Sequence, residues 1–160
     1  MASIFFSHGT PNYPIAEYFK NQLEQMDSSV YLFEHDQQPG QDITNKLQKR
    51  IDASDILFVL LTKQSQSSSY VQQEIGYAEK AKKPIIPFVE AGTDPHALGM
   101  LTGREHIPFD PNNPDKSLSQ ALTYVHKHDM AKLIDEGVDI ALLVGLAVIL
   151  IILYYKTHPQ

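Results

Sequence analysis

The chain has 160 residues, which is room for one globular core and one appended element. Hydrophobic residues make up 42% of it and charged residues 20%, the proportions of a folded chain and not of a disordered one. The formal net charge is -6, which argues against nucleic acid as a partner, because that partner needs a basic surface. Cysteine is absent, so disulfide bonds, thiolate metal sites and a cysteine nucleophile are excluded.

Short apolar runs indicate the strands of a sheet. The clearest is 56–61, six consecutive apolar residues that are too few for a helix and therefore indicate a strand buried on both faces. Four further runs, bounded by polar, glycine or proline residues, predict strands at 3–7, 30–33, 84–88 and 106–109.

Apolar residues at helical spacing lie between and after these runs. Pro14 fits the first turn of the first helix, Asp42 caps the second, and Ser69 with Gln72 has the form of a capping box that opens the third. Four helices therefore alternate with the strands. Their predicted buried positions are, in chain order, Ile15, Phe19, Leu23 and Met26; Ile43, Leu47 and Ile51; Val71, Ile75 and Ala78; and Leu118, Leu122 and Val125.

This alternation predicts an α/β fold with a central parallel sheet and helices on both faces, because parallel neighbours need crossover connections. Ligands of such sheets bind beyond the carboxyl ends of the strands. Three loops, 8–14, 34–40 and 62–69, lie at that edge. Functional residues are therefore expected in these loops and on the helix that follows the third loop.

The third helix carries a carboxylate in a distinctive position. Tyr70 and Glu74 are about one turn apart on one face, and Glu74 borders the stripe of buried residues. The positive end of the helix is near, which favours the ionised form of this side chain. From spacing alone, a solvated surface glutamate is the more frequent alternative.

Five segments, taken in order, resemble a bacterial Toll/interleukin-1 receptor (TIR) domain. They are Ile-Phe-Phe-Ser-His at 4–8, Pro39-Gly40 followed by Asp42-Ile43, Ala53-Ser54-Asp55 before the apolar third strand, the serine-rich loop leading into 69–75, and Pro-Ile-Ile-Pro-Phe at 84–88. The resemblance covers residues 3–127. It implies a flavodoxin-like, three-layer fold, self-association through the loop that contains Pro39 and Gly40, and, as in many members, cleavage of NAD+ at the nicotinamide bond.

The resemblance also implies roles for single residues. The family's catalytic glutamate falls on Glu74, and the aromatic residue four positions earlier, usually tryptophan, falls on Tyr70, which keeps a ring for stacking. Cleavage releases nicotinamide as a neutral base, so one carboxylate suffices, unlike the paired acids of ordinary glycosidases. We expect Glu74 to orient the ribose and to stabilise the developing positive charge. NAD+ is then a substrate, and no cofactor is expected.

Three further residues at neighbouring strand ends, Ser7, His8 and Asp36, are candidates to hydrogen-bond the nucleotide, although each is more often an ordinary loop residue. No metal site is predicted, because His126 and His128 are two apart and point away from each other on a helix. A serine hydrolase is equally disfavoured, since no nucleophile elbow is present.

The C-terminal segment 138–155 is apolar except for Asp139, and its 18 residues would span about 27 Å as a helix, against about 30 Å of hydrocarbon. We expect a single-pass transmembrane helix, with Asp139 in the headgroup region; a buried helix of the core or of an oligomer is the alternative. The expected organisation is a TIR domain at 1–130, a connector at 131–137, the membrane helix, and a polar tail at 156–160. More lysines precede the helix than follow it, which favours a cytoplasmic TIR domain.

Two functions are compatible with these patterns. The first is a membrane-anchored TIR enzyme that cleaves NAD+ when self-associated, in prokaryotic immune or stress signalling. The second is a non-enzymatic TIR assembly or scaffold module, whose C-terminal helix anchors to the membrane or perturbs it. Nicotinamide release from NAD+ separates the two.

Overall fold

The structure is a computed structural model that describes residues 1–33 and 42–135, together with Gly137 and Val148. Within these residues five strands form one parallel sheet, in the order β2-β1-β3-β4-β5. This confirms the predicted flavodoxin-like α/β fold. The strands and helices are β1 (Ser3–His8), α1 (Tyr13–Glu24), β2 (Ser29–Tyr31), α2 (Ile43–Ala53), β3 (Ile56–Leu61), α3 (Ser69–Lys80), β4 (Ile85–Glu90), β5 (Ile107–Phe109) and α4 (Pro114–Asp135).

The centre of the sheet is β3, whose bounds agree with the prediction from its apolar run. It pairs with β1 on one side and with β4 on the other. All six of its side chains are buried. A strand covered on both faces gains from apolar residues at every position, which is why the alternation of polar and apolar residues is missing here.

Phenylalanines pack on one face of the sheet, which we call the α1 face. Phe6, Phe58 and Phe88 come from three neighbouring strands, with ring centroids 5.9 Å apart for Phe6 and Phe58 and 5.1 Å for Phe58 and Phe88. Phe19 of α1 closes the cluster at 5.4 Å from Phe88. Aromatic pairs at such distances contribute about 0.5–1.5 kcal/mol beyond their buried area.

The opposite face, which we call the α2–α3 face, is mainly aliphatic. Side chains alternate along a strand, so Phe5 points away from Phe6 and joins the residues of the second core. Helices therefore cover both faces, and the domain has three layers. The buried residues of this core are Phe5, Leu47, Ile51, Leu57, Val59, Leu61, Val71, Ile75, Ala78 and Leu101.

Helix starts and ends agree only partly with the sequence patterns. Asp42 caps α2 as predicted, since its side chain accepts a hydrogen bond from the Asn45 N–H at 3.2 Å. The prediction for α3 is wrong by one residue, because Ser68 has the extended backbone of a cap and its hydroxyl accepts from the Val71 N–H at 3.4 Å. Burial was also predicted wrongly at Met26, which is 52% exposed and follows the end of α1.

The chain divides into two compact units, Met1–Tyr124 and Val125–Gln160. Helix α4 continues to Asp135 and so includes the first part of the predicted connector 131–137; the domain boundary at 130 stays a prediction. The predicted membrane helix at 138–155 lies outside the described residues apart from Val148. Among the residues that are described, no helix has the length and apolar character needed to cross a bilayer.

Candidate active site at the end of strand β1

A pocket of about 230 Å³ opens beyond the carboxyl end of β1, between that strand and the helices of the α2–α3 face. This is the edge of the sheet at which the sequence predicted a ligand site. Apolar and aromatic side chains make up most of its wall. The described lining residues are Phe5, Phe6, His8, Gly9, Thr10, Phe33, Ile43, Leu47, Ser68, Tyr70 and Glu74.

Glu74 of α3 and Ser7 of β1 meet at this pocket. Ser7 lies two positions after Phe5 and therefore points to the same α2–α3 face. Its hydroxyl donates a hydrogen bond to Oε2 of Glu74. Both side chains are buried, with exposed fractions of 1% for Ser7 and 9% for Glu74. A buried carboxylate needs such donors, because the loss of water otherwise disfavours its charge.

The start of α3 brings Glu74 to the pocket. Ser68 caps the helix, and Val71 and Ile75 are fully buried against the sheet. Glu74 follows Val71 by three positions and is therefore carried onto the inner side of the helix. The side-chain amide of Gln72, on the opposite side of the same helical turn, donates to the Ala97 carbonyl at 2.7 Å. Packing against the sheet and this hydrogen bond together position the Glu74 carboxylate.

Tyr70 and His8 also line the pocket. The Tyr70 side chain is 60% exposed, so its ring stands at the mouth of the pocket. His8 is half-buried, and its Nδ1 lies 3.1 Å from the Gly9 carbonyl oxygen. In the neutral tautomer that donates this hydrogen bond, Nε2 is an acceptor. The structure therefore brings together four of the predicted site residues, Ser7, His8, Tyr70 and Glu74, while their functional roles stay predictions.

The remaining predicted site residues, Asp36, Pro39 and Gly40, lie outside the described residues. Nucleotide binding by Asp36 and self-association through Pro39 and Gly40 also stay predictions. Ile43, predicted to be buried, is 42% exposed and lines the pocket. As the first residue of α2 it stands at the edge of the layer, where helical spacing alone does not tell a core position from a pocket wall.

A polar network fixes the loop after β1, and sequence analysis missed it. The Asn12 side-chain amide donates to the Thr62 hydroxyl at 2.9 Å and to the Ser65 hydroxyl at 2.6 Å. All three residues are buried. Gly9 packs so closely on Ser65 that a Cβ at position 9 would lie 2.5 Å from the Ser65 Cβ. These contacts join the loops after β1 and β3 next to the pocket.

Comparison with known proteins is consistent with this geometry. A family model described as TIR domain matches residues 4–122, well over half of the chain. Among curated proteins, none matches the chain. The TIR domains of the activated Roq1 resistosome, which directly recognises the pathogen effector XopQ, are similar at 16% identity, with 78% of this chain and 99% of that chain covered and a TM-score of 0.64.

Two further solved structures share the fold. The CMP N-glycosidase BcmB of Clostridium botulinum is 17% identical over 76% of this chain and 98% of its own, with a TM-score of 0.57. A prokaryotic SEFIR domain is also 17% identical, with 76% and 90% covered and a TM-score of 0.54. At such identities these likenesses concern the fold alone. The family model runs from the second residue of β1 to beyond β5 and includes all of the described pocket-lining residues. The chain belongs to the TIR domain family.

Proposed function

We propose that this TIR domain hydrolyses an N-glycosyl bond, that NAD+ is its substrate, and that Glu74 is the catalytic carboxylate. The observation that carries the proposal is the buried Glu74, held by the Ser7 hydroxyl at the wall of a largely apolar pocket. No resident cofactor is needed. The fold shared with an N-glycosidase supports the reaction class and leaves the substrate to be tested.

The reaction suits a site with one carboxylate. The bond between C1′ of the ribose and N1 of the pyridinium breaks, its electron pair goes to N1, and neutral nicotinamide departs without needing a proton. Positive charge develops on the sugar, where a negative side chain held by a hydrogen bond in a largely apolar wall would stabilise the transition state. Water then adds to C1′ and releases one proton, which gives ADP-ribose. Glu74 would face the ribose, and Tyr70 at the mouth would stack on a ring.

Cytidine monophosphate is a less suitable substrate for the described residues. Its base is neutral before cleavage and leaves easily only when it is protonated, so an acid has to stand beside it. His8 is the histidine of the described lining, and in the neutral tautomer whose Nδ1 donates to the Gly9 carbonyl its Nε2 has no proton to give. NAD+ carries its positive charge already, which is why we place it first.

The test is an assay of purified full-length chain with NAD+ and, separately, with CMP, over a range of protein concentrations. We expect the rate of nicotinamide release to rise more than linearly with protein concentration, because self-association would complete the site. We expect no cytosine release. Glu74→Gln, checked for folding by circular dichroism, should lower turnover about 100-fold to 1,000-fold. Equal NAD+ turnover by wild type and Glu74→Gln overturns the assignment.

An assembly module without turnover is the second candidate. The observation that favours it is the pair of exposed apolar side chains Ile43 and Tyr70, which both line the pocket and a small groove beside it between α2 and α3. A self-associating surface would cover them. Concentration-dependent oligomers in light scattering, together with no nicotinamide release at any concentration, would identify this function.

Membrane attachment through 138–155 and a role in prokaryotic immune or stress signalling complete the proposal, with the TIR domain on the cytoplasmic side. Attachment and orientation are inferred from the apolar segment and the lysines beside it, and the signalling role from membership of the TIR domain family. Lysine in place of both Val144 and Ile149 would cost about 2.5–3.5 kcal/mol for each residue at the centre of a membrane helix. We expect the wild-type chain to float with lipid vesicles on a density gradient and the double variant to stay at the bottom. If neither chain floats, membrane attachment is contradicted.

A further inference from the structure

Two segments of the chain bring Glu74 and its hydrogen-bond donor together. Ser7 belongs to β1, which is paired with β3 as far as His8 and Leu60, so the sheet itself holds this serine. Glu74 belongs to α3, which the loop 62–68 joins to the end of β3. The place of the carboxylate therefore depends also on what holds this loop.

Asn12, in the loop after β1, binds the loop 62–68 through both ends of its side-chain amide. The amide nitrogen donates to the Thr62 hydroxyl at 2.9 Å and to the Ser65 hydroxyl at 2.6 Å, and the amide oxygen accepts from the Thr62 hydroxyl at 3.0 Å. The Thr62 N–H also donates to the Ser65 hydroxyl at 3.2 Å. All three side chains are buried. Removing one partner would thus leave buried polar atoms of the others unsatisfied.

Backbone hydrogen bonds continue from this network into α3. The Ser65 N–H donates to the Thr62 carbonyl at 3.1 Å, and the Ser68 N–H donates to the Ser65 carbonyl at 3.0 Å. Ser68 in turn caps α3, because its hydroxyl accepts the Val71 N–H. Val71 and Glu74 lie within one turn of each other. A continuous set of hydrogen bonds therefore links the network to the helical turn that carries the carboxylate.

The segment on the other side of the network is short and held by its own contacts. Asn12 ends the helical turn Thr10–Asn12, in which Pro11 has a restricted φ. The Asn12 N–H donates to the Gly9 carbonyl at 2.8 Å, and α1 begins at the next residue. We therefore expect the loop 62–68, and the start of α3 with it, to shift when the network is cut.

The hydrogen bond between Ser7 and Glu74 is not enough to order that loop. Fixing the backbone of each residue in 62–68 costs conformational entropy, and one hydrogen bond offsets this cost for about one or two residues. A catalytic group needs an accurate position, because small displacements in an active site lower the rate steeply. The buried network contributes the further order that such a position requires.

We propose that Asn12 and Thr62 are positioning residues, whose hydrogen bonds hold the start of α3 against the loop after β1 and so keep the Glu74 carboxylate beside Ser7 and the ribose. The inference rests on the proposed function and adds the residues that orient its carboxylate. Asn12 and Thr62 act on the reaction through Glu74.

The kinetic test uses a matched pair of substitutions at one position of the full-length chain. Thr62→Val keeps the shape of the side chain and removes its hydroxyl, whereas Thr62→Ser keeps the hydroxyl. We expect Thr62→Val to lower kcat for NAD+ hydrolysis at least fivefold and to change KM by a smaller factor, because Glu74 acts on the transition state. Thr62→Ser should retain at least a third of the wild-type kcat. A loss of kcat below fivefold in Thr62→Val, or a larger change in KM, overturns the inference.

Two further variants exclude a general loss of stability. Ser117→Ala removes a buried hydroxyl from α4 and should keep the wild-type kcat. Asn12→Ala should lower kcat as Thr62→Val does. The double variant should lose less than the product of the two single losses, because each substitution removes the same hydrogen bonds. Losses that multiply would mean that the two residues act separately, which also overturns the inference. Circular dichroism checks the folding of every variant.

A spectroscopic readout separates this inference from the proposed function, because it needs no turnover. In the isotope-labelled full-length chain in detergent micelles, the carboxyl carbon of Glu74 is identified as the glutamate resonance missing from Glu74→Gln. We expect Thr62→Val to shift this resonance in the same direction as Ser7→Ala, and Thr62→Ser to leave it unchanged. If NAD+ is not hydrolysed, these shifts support the positioning of Glu74 although the proposed function fails. An unchanged resonance in Thr62→Val, or a shift in the opposite direction, overturns the inference.

Discussion

Two glutamates at the carboxyl edge of the sheet differ in what holds them. Glu74 accepts a hydrogen bond from the Ser7 hydroxyl inside the smaller pocket. Glu90, the last residue of β4, accepts the backbone N–H of Lys63 at 3.0 Å and pairs with its ammonium group. Glu90 lines a larger cavity of about 580 Å³, whose wall carries charges of both signs. Volume alone would favour the cavity of Glu90, whereas the buried carboxylate with its serine donor favours the pocket of Glu74.

The strongest test of this comparison replaces each glutamate by glutamine. Glu74→Gln keeps shape and loses the charge that faces the sugar, so we expect NAD+ hydrolysis to fall about 100-fold to 1,000-fold, as for other lost electrostatic contacts to a transition state. Glu90→Gln should keep activity within twofold, because the cavity it lines takes no part in the reaction. Rates of nicotinamide release at matched concentrations of folded protein provide the measurement. Similar losses of activity in both variants would contradict a special role for Glu74.

A second pair of variants tests the loops. Gly9→Ala forces the loop after β1 away from Ser65, with an expected loss of about 1–3 kcal/mol in the free energy of unfolding and a tenfold or greater loss of activity, since small displacements in an active site cost up to about 100-fold. Gly92→Ala meets a positive φ of 82° and should cost about 1 kcal/mol, with normal activity. Urea denaturation and the hydrolysis assay together measure both. Full activity of Gly9→Ala would mean that this loop does not shape the site.

The smallest expected difference concerns two buried serines. Ser7 donates to Glu74, and Ser117 of α4 donates to the Pro108 carbonyl at 2.7 Å. Alanine at either position should cost about 1–3 kcal/mol of stability. Only Ser7→Ala should also reduce activity, about tenfold, and move the acid side of the pH–rate profile to higher pH, because an ionised carboxylate that loses a donor is disfavoured.

Ser7→Thr, which keeps the hydroxyl, should restore the wild-type pH profile. An unchanged profile in Ser7→Ala would mean that the serine acts through stability alone.

Local patterns predicted much of this fold, and residues far apart in the chain account for most of what they missed. The six-residue run of β3 needed no partner to be recognised, and the buried positions Val71, Ile75 and Ala78 of α3 are confirmed. The spacing of apolar residues describes a single helix and carries no information on its neighbours. It therefore could not show that Ile43, the first residue of α2, lines a pocket.

The site shows the same limit. Its edge of the sheet was predictable because parallel strands all end on one side. The hydrogen bond between Ser7 and Glu74 joins residues 67 positions apart in the sequence. The hydrogen bonds from Asn12 to Thr62 and Ser65 span 50 and 53 positions. Neither leaves a signal in a single sequence, since serine, threonine and asparagine are also the usual residues of turns. Only the assembled sheet brings them together.

The strand order β2-β1-β3 has a consequence for how such a site is kept or lost. From β1 the chain crosses to β2 on one side, and from β2 it crosses back past β1 to β3 on the other side. Because both crossovers are right-handed, the helices that follow β1 and β3 lie on opposite faces of the sheet. A crevice opens at this topological switch point whatever side chains surround it. The strand order therefore determines where the cleft lies, and the side chains around it decide its chemistry. The same connectivity is compatible with a catalytic site or with a site that only binds.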